Sequence, residues 1–186
     1  MLEVLSAAFP VNPPVSFAGF SVAIVLVLLA TGAAFAVVSF RVSREKRYRL
    51  LAAGIILLVV GGGVFFISDP LEQNAVAVGN GSLRVTAPPY FDINITSSQI
   101  ARAYVVNLTD WNVSITARTG GTAFGSFRSG YFHLSNGASA ELLTSGQTNL
   151  VLVLKSGTYV ILGPQDFQAF LSDFDRSVMQ AGTQGT

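Results

Sequence analysis

The chain of 186 residues contains no cysteine, and it has only one histidine and one tryptophan. Without cysteine it forms no disulfide and has no thiol chemistry, which argues against a disulfide-stapled secreted module. The single histidine, His133, excludes a metal site built from several histidines of one chain. Because His133 lies in a strand-like stretch, YFHLSN, we expect it to have a structural or surface role.

Charged residues are also scarce, at 11% of the chain, and two long stretches, 17–40 and 50–68, contain none. As helices these stretches would extend over roughly 36 Å and 28 Å, and the hydrocarbon core of a bilayer is about 30 Å thick. We therefore predict transmembrane helices at 17–40 and 50–68, joined by a basic loop at 41–49. Residues 1–16 are predicted to be an extended lead-in at the membrane interface, and 69–79 a linker.

The basic loop predicts the orientation in the membrane. Segments 1–16 and 69–83 contain no basic residue, whereas the loop contains five: Arg41, Arg44, Lys46, Arg47 and Arg49. Basic loops stay in the cytoplasm and also contact anionic lipid headgroups. We therefore expect a two-span protein of the cell membrane with its N-terminus and its C-terminal domain outside; a cytoplasmic domain is the alternative. A cleaved signal peptide is disfavoured, because the first apolar run is too long and no basic segment precedes it.

Small residues recur at four-residue spacing in the first membrane segment, as in Gly19/Ala23 and Gly32/Ala36. Such spacing lets helix backbones approach closely. Two interpretations remain open, packing within the hairpin and docking onto another membrane protein. Neither segment contains a charged residue, which argues against a transporter or channel acting alone.

The C-terminal part, 80–182 with a tail at 183–186, changes character. Short strand-like runs between 75 and 162 are separated by turn signals such as Gly120-Gly121. Phe167, Phe170, Phe174 and Val178 then recur with helical periodicity. Pro164 suits the first helical position, and Asp166 the first turn. This pattern predicts a barrel or sandwich of antiparallel strands plugged by a C-terminal helix.

The stretch from about 80 to 178 resembles the small bacterial PH-like domains that are often attached to membrane helices. The resemblance rests on SLRVTAP, QIARAYVVNL, the TARTGGTAFGSFRSGYFHLSNGASAELL segment and the closing run NLVLVLKSGTYVILGPQDFQAFLSDF. It implies a PH-like β-barrel with a C-terminal helix and says little about activity. Members commonly suggest a cytoplasmic domain, whereas the charges here favour the outside.

The residues that carry chemistry elsewhere are scattered in this sequence. No pair of carboxylates has a spacing typical of acid–base catalysis, and there is no G-x-S-x-G. GSFRSG lacks the lysine of a phosphate-binding loop. Outside the basic loop acidic residues outnumber basic ones, which argues against nucleic acid as a partner. We therefore predict no catalytic, metal or cofactor site.

Three sets of residues remain as candidate sites. Arg118 and Arg128 flank a glycine-rich stretch and could converge on one ligand, although separate solvated arginines are the simpler interpretation. Trp111 and Tyr104 are expected in the core, with an exposed contact as the alternative. Four sequons indicate glycosylation on an outer face, and they begin at Asn80, Asn94, Asn107 and Asn112.

These features favour a non-catalytic membrane protein that presents an extracytoplasmic PH-like domain to another membrane protein, as an accessory subunit. The alternative is a domain that senses a lipid headgroup or a glycan at the membrane surface through Arg118 and Arg128.

Overall fold

The computed structural model describes residues 5–68, 73–79 and 81–180, with the backbone alone at 5–6, 15–21, 44–45 and 64–68. The chain divides into two compact units. One is helical, Pro14–Pro70, and the other combines the part of the chain before it with the part after it.

The helical unit consists of α1, Val15–Ser39, and α2, Arg44–Ser68. Among the described residues, one segment is long and apolar enough to cross a membrane, Val22–Ser39 of α1. Helix α2 begins within the predicted basic loop, so the connection between the helices is shorter than 41–49. Lysine, arginine and glutamate are good helix formers, and the Ser43 carbonyl accepts hydrogen bonds from the backbone N–H groups of Lys46 and Arg47, both at 3.0 Å.

Glycines set the approach of α1 to α2. A Cβ added to Gly32 would lie 3.2 Å from the carbonyl oxygen of Gly54, and one added to Gly54 would lie 3.1 Å from that of Gly32. A Cβ at Gly61 would lie 3.3 Å from the Cβ of Leu28. Gly32 therefore serves packing within the hairpin, the first of the two interpretations of its small-residue pattern.

The second unit contains a four-stranded antiparallel sheet whose first strand comes from the N-terminal lead-in. The strands pair in chain order: β1 (Leu5–Pro10), β2 (Ala75–Gly79), β3 (Ser82–Ala87) and β4 (Phe91–Thr96). Residues 5–10 of the predicted extended lead-in thus form a strand that pairs with β2. The backbone N–H of Val11 donates to the carbonyl of Asn74 at 3.0 Å, which extends the pairing beyond the strands. Tertiary pairing makes this strand, because its short apolar run carries no strand signal of its own.

A six-stranded sheet follows, in the spatial order β5-β9-β10-β8-β7-β6. Its strands are β5 (Ile100–Asn107), β6 (Ile115–Phe124), β7 (Phe127–Leu134), β8 (Ser139–Thr144), β9 (Thr148–Leu154) and β10 (Tyr159–Gly163). The predicted strand segments are confirmed, whereas the predicted turn at Gly120-Gly121 is wrong. Strand β6 runs through both glycines, and the turn lies at Gly125, where φ is +59°.

The two sheets stay open, so the strands described do not close into the expected barrel. After β4 a 3-10 turn, Ser97–Gln99, leads the chain into the other sheet. One core contains buried residues of both sheets, for example Val76 and Leu83 from the first and Leu150 and Leu162 from the second. The arrangement is a mainly β domain in which a helix completes the core.

That helix is α3, Phe167–Phe174, which continues as a π-helical turn, Asp175–Met179. Phe170, Phe174 and Val178 are buried, as their spacing predicts. Asp166 is the N-cap, and its carboxylate accepts a hydrogen bond from the backbone N–H of Ala169 at 3.3 Å. The helix therefore begins after Asp166 rather than at Pro164.

The opposite face of the six-stranded sheet has its own core, which contains Phe132, Leu142, Val151 and Ile161. The connection between β5 and β6 packs its apolar side chains on this core: Leu108, Trp111 and Val113. This connection therefore brings Trp111 beside the sheet.

Candidate functional site

The β6–β7 hairpin positions Arg118 and Arg128. Arg118 is opposite Phe132, and Arg128 is opposite Ala123, so four pairing steps separate the two arginines along the hairpin. At about 3.3 Å per residue this distance is about 13 Å along the strands. Arg118 is exposed, and Arg128 is half-buried with its guanidinium 3.5 Å from the carbonyl oxygen of Ser126. Arg128 shares a face of β7 with Phe132, four residues away, but a register shift between Arg118 and Gly120 interrupts the same alternation on β6.

A pair of glycines between the arginines brings the two backbones of the hairpin unusually close. Gly121 and Gly130 are opposite each other and have φ values of +154° and +128°. A Cβ added to Gly130 would collide with the Gly120 carbonyl oxygen and the Gly121 Cα, and one added to Gly121 would collide with the Ser129 carbonyl oxygen. Only glycine fits at both positions, which lie between Arg118 and Arg128 in the pairing register of the hairpin.

Other basic residues of this unit lie apart from the hairpin or are already paired. Arg84 on β3 binds Asp92 on β4 in a bidentate manner, with Nε–Oδ1 at 3.0 Å and Nη2–Oδ2 at 2.7 Å. These hydrogen bonds lower the pKa of Asp92 below its ordinary value of 3.8. Arg102 and Lys155 are exposed on β5 and in the β9–β10 turn. No cluster of basic residues forms in the part of the unit that the structure describes.

The carboxylates and the histidine are equally dispersed. His133 is exposed on β7, and the described residues contain no group of three or more metal-ligating side chains. Glu141 on β8 is half-buried, and burial raises its pKa above the ordinary value. It is opposite Tyr131 on one side and Val160 on the other. This environment disfavours the ionised carboxylate.

Trp111 packs against the second core, as expected, but it is only half-buried, so part of its ring lines the surface. It borders an open groove of about 270 Å³ whose other lining residues come from the end of β5 and the following connection: Val106, Asn107, Asp110 and Asn112. Tyr104 is half-buried nearby in the sheet, and burial raises the pKa of its hydroxyl. Polar residues on both sides of the lone tryptophan were the only sequence signal for this groove.

The sequon asparagines within the described residues are exposed. Asn94 lies on β4 opposite Arg84, and Asn107 and Asn112 lie at the groove. Asn80 lies outside the described residues. The exposure leaves all three asparagines accessible for modification.

In the helical unit, the basic residues with described side chains are exposed, namely Arg41, Lys46, Arg47 and Arg49. The Arg47 guanidinium lies 4.9 Å from the centre of the Phe40 ring. Arg44 is the first residue of α2. The five basic residues therefore cluster at the turn between the helices.

No curated protein and no solved structure matches this chain significantly. A family model does match, the bacterial PH domain, over residues 75–178. The match begins at β2 and ends in the π-helical turn after α3, so it covers both sheets except β1, together with the helix that completes their core. Since the matched segment is more than half of the chain, this protein belongs to the bacterial PH domain family.

Proposed function

We propose that this protein is a non-catalytic membrane protein whose two helices hold a PH-like domain at the outer surface, where it binds another membrane protein as an accessory subunit. The proposal depends on three features: the sheet that joins the two ends of the helical unit, the charge of the turn between the helices, and the surface of the helices.

The pairing of β1 with β2 carries the proposal. Pro10 is opposite Ala75, and β1 precedes α1 whereas β2 follows α2. Both ends of the helical unit therefore lead into one sheet. A chain that leaves this sheet and returns to it crosses a bilayer an even number of times. If α1 spans the membrane, α2 crosses back, and the whole β unit lies on one side.

The charges between the helices favour a location of the β unit on the outer side of the membrane. Five basic residues lie in 41–49, between the two helices, and positively charged turns stay in the cytoplasm. A glycosylated outer face would agree with this orientation, because Asn94, Asn107 and Asn112 are exposed.

The helices also offer a surface to a partner in the membrane. Gly62 and Gly63 have open space where a Cβ would lie, unlike Gly61, which packs on Leu28. An apolar groove of about 440 Å³ lies beside Gly62 and is lined by Val22, Val25, Leu26 and Leu29. Small residues in a membrane helix let a second helix approach closely, so a transmembrane helix of the partner fits this surface.

A cysteine pair tests the sheet that carries the proposal. Ala8 of β1 is opposite Ala77 of β2, and opposite side chains in a sheet have Cβ atoms about 4.5–5.5 Å apart. In this cysteine-free chain, the Ala8→Cys/Ala77→Cys variant should lose both thiols to a disulfide under mild oxidation. The Ala8→Cys/Ala101→Cys variant is the control, since β5 does not pair with β1. Two free thiols in both variants would contradict the pairing.

Labelling of single cysteines in intact cells tests the orientation. Ala8, Ser43 and Ala101 are all exposed. An impermeant maleimide should label cysteines at Ala8 and Ala101 and should reach one at Ser43 only after the membrane is permeabilised. Labelling of Ser43→Cys alone would place the PH-like domain in the cytoplasm.

Purification in mild detergent tests the accessory role. We expect another membrane protein to co-purify with the intact chain, and substitution of Gly62 and Gly63 by leucine to reduce its yield. Substitution of the exposed Val59 by leucine is the control, because it preserves an apolar helix surface without filling the groove. A chain that purifies alone across several detergents would refute the proposed role.

Arg118 and Arg128 favour a second candidate function, a sensor of anionic lipid headgroups. Both lie on the β6–β7 hairpin, and Arg118 is exposed, with a guanidinium that forms no hydrogen bond or ion pair with any described residue. Liposomes that contain anionic lipid should then bind the wild type more tightly than the Arg118→Ala/Arg128→Ala variant. Equal binding of both proteins would exclude the sensor.

A further inference from the structure

The groove beside Trp111 combines an accessible aromatic ring with polar groups that have no partners. The lining residues come from a single continuous stretch, the end of β5 and the connection to β6, so the groove is complete within one chain. It lies on the sheet face that carries the second core, away from the core that α3 completes. All of the lining residues therefore belong to the β unit.

The Trp111 ring packs on the ring of Tyr159. The centre of the Trp111 ring lies 6.3 Å from that of Tyr159, at an angle of 49°. The Tyr159 hydroxyl accepts a hydrogen bond from the side-chain amide of Asn136 at 3.1 Å. These contacts join three segments that are distant in the sequence, so the ring does not have to be ordered when a ligand binds.

The backbone of the groove is fixed by local hydrogen bonds. The Asn107 side-chain oxygen accepts from the N–H of Thr109 at 3.0 Å, and the Asn107 carbonyl accepts from the N–H of Asp110 at 3.1 Å. The Thr109 hydroxyl donates to the side chain of Gln147 at 3.2 Å. A preformed site loses little conformational entropy on binding.

When Asn107 and Asn112 carry no glycan, three polar side chains keep free hydrogen-bonding capacity at this groove. The carboxylate of Asp110 and the amide of Asn112 form no hydrogen bond with any described residue, and the amide nitrogen of Asn107 is likewise unused. They offer both donors and acceptors at the groove that Trp111 lines. Polar groups of this kind fix the orientation of a ligand that lies on an apolar surface.

The chemistry of the lining selects the class of ligand. No lysine or arginine lines the groove, and Asp110 contributes a negative charge, so an anionic headgroup is disfavoured. A quaternary ammonium is best bound by a cage of several rings, whereas Trp111 is the one ring of this lining. A sugar ring presents an apolar C–H face to an aromatic ring and hydroxyl groups at its edge. We propose that the Trp111 groove binds a neutral saccharide, with the indole against the sugar face and Asp110 and Asn112 bound to its hydroxyls.

The lone tryptophan makes the proposal directly testable, because all tryptophan fluorescence of this chain comes from the groove. The full chain is placed in phosphatidylglycerol nanodiscs, which avoid sugar-based detergents. It is then titrated with the methyl glycosides of glucose, galactose, mannose and N-acetylglucosamine, with cellobiose and chitobiose, and with choline chloride and inorganic phosphate. At least one saccharide should change the emission saturably, whereas choline and phosphate should not.

Variants connect the signal to the groove. Asp110→Ala should weaken the binding of that saccharide by about tenfold or more, the usual effect of losing a hydrogen bond to a charged group. Asn112→Ala should weaken it as well. Asn94→Ala removes an exposed amide on the other sheet and should leave the affinity unchanged. Matching unfolding midpoints show that all three variants are folded. No saturable change with any saccharide, saturation with choline or phosphate alone, or equal affinities of the wild type and both groove variants would overturn the proposal.

Discussion

The close approach of Gly121 and Gly130 gives the sharpest prediction about the stability of the β unit. In Gly130→Ala the new methyl group would overlap the Gly120 carbonyl oxygen and the Gly121 Cα, and the residue would have to keep a φ of +128°. Gly125→Ala is the matched control on the same hairpin, because it has a φ of +59° and open space where the Cβ would lie. Both changes add one methyl group at a positive φ, and only one of them forces backbones apart.

The magnitudes follow from these two geometries. A left-handed conformation costs an alanine about 1–2 kcal/mol, which is the whole effect expected for Gly125→Ala. Forcing a methyl group into a filled space costs a further 1–3 kcal/mol or so, so Gly130→Ala should lose about 2–5 kcal/mol in total. The β unit is larger than a domain of 60–100 residues and smaller than one of 150–250, so each kcal/mol lowers the unfolding midpoint by roughly 4 °C, where the ranges for these two sizes meet.

The assay is thermal unfolding of the intact chain in nanodiscs, followed by the strand signal in circular dichroism. Gly125→Ala should unfold several degrees below the wild type, and Gly130→Ala well below Gly125→Ala. Midpoints of the two variants within a few degrees of each other would refute the argument that the glycines are required by the close approach.

Three further outcomes are expected from the packing and charges of the β unit. Phe170→Ala should lower the free energy of unfolding by about 3–5 kcal/mol in chemical denaturation, because the ring is fully buried and leaves a cavity, whereas Gln168→Ala on the exposed face should change it little. Asp92→Asn should lower the free energy of unfolding by at most about 1 kcal/mol at neutral pH, because the pair with Arg84 is exposed to solvent. The fold lowers the pKa of Asp92, so the stability difference between wild type and variant is present above the ordinary pKa of 3.8. It should vanish as the pH falls through the lowered pKa. Burial raises the pKa of Glu141 above its ordinary value of 4.5, so the wild type loses stability as the pH rises above 4.5. Glu141→Gln should therefore stabilise the domain at neutral pH and not at pH values below 4.5.

Several features could be predicted from the sequence because they depend on neighbours in the chain. The uncharged runs, the alternating segments that became β2–β10 and the phase of α3 are local patterns, and local patterns are preserved in the fold. The family resemblance followed from the same patterns and is confirmed over residues 75–178. The boundaries were less predictable, as the start of α2 at Arg44 shows, since helix propensity extended the helix into a charged segment.

The candidate sites depend instead on contacts between residues that are distant in the sequence. Arg118 and Arg128 were recognised from the glycines between them, yet their separation follows from a hairpin whose turn lies at Gly125. The Trp111 groove could not be predicted, because the sequence does not show that one part of the indole packs on Tyr159 while another part faces solvent.

The sequence by itself determined the class of protein, with two apolar segments, a basic turn between them and a β domain completed by a helix, because composition and periodicity suffice for these. Tertiary structure alone decided that Leu5–Pro10 is a strand, that the sheets stay open and that Gly121 and Gly130 touch. Each of these depends on partners far apart in the chain: the partner of β1 lies beyond two whole helices. A short apolar strand without alternation acquires its conformation from the hydrogen bonds of that distant partner, and no local pattern contains those bonds.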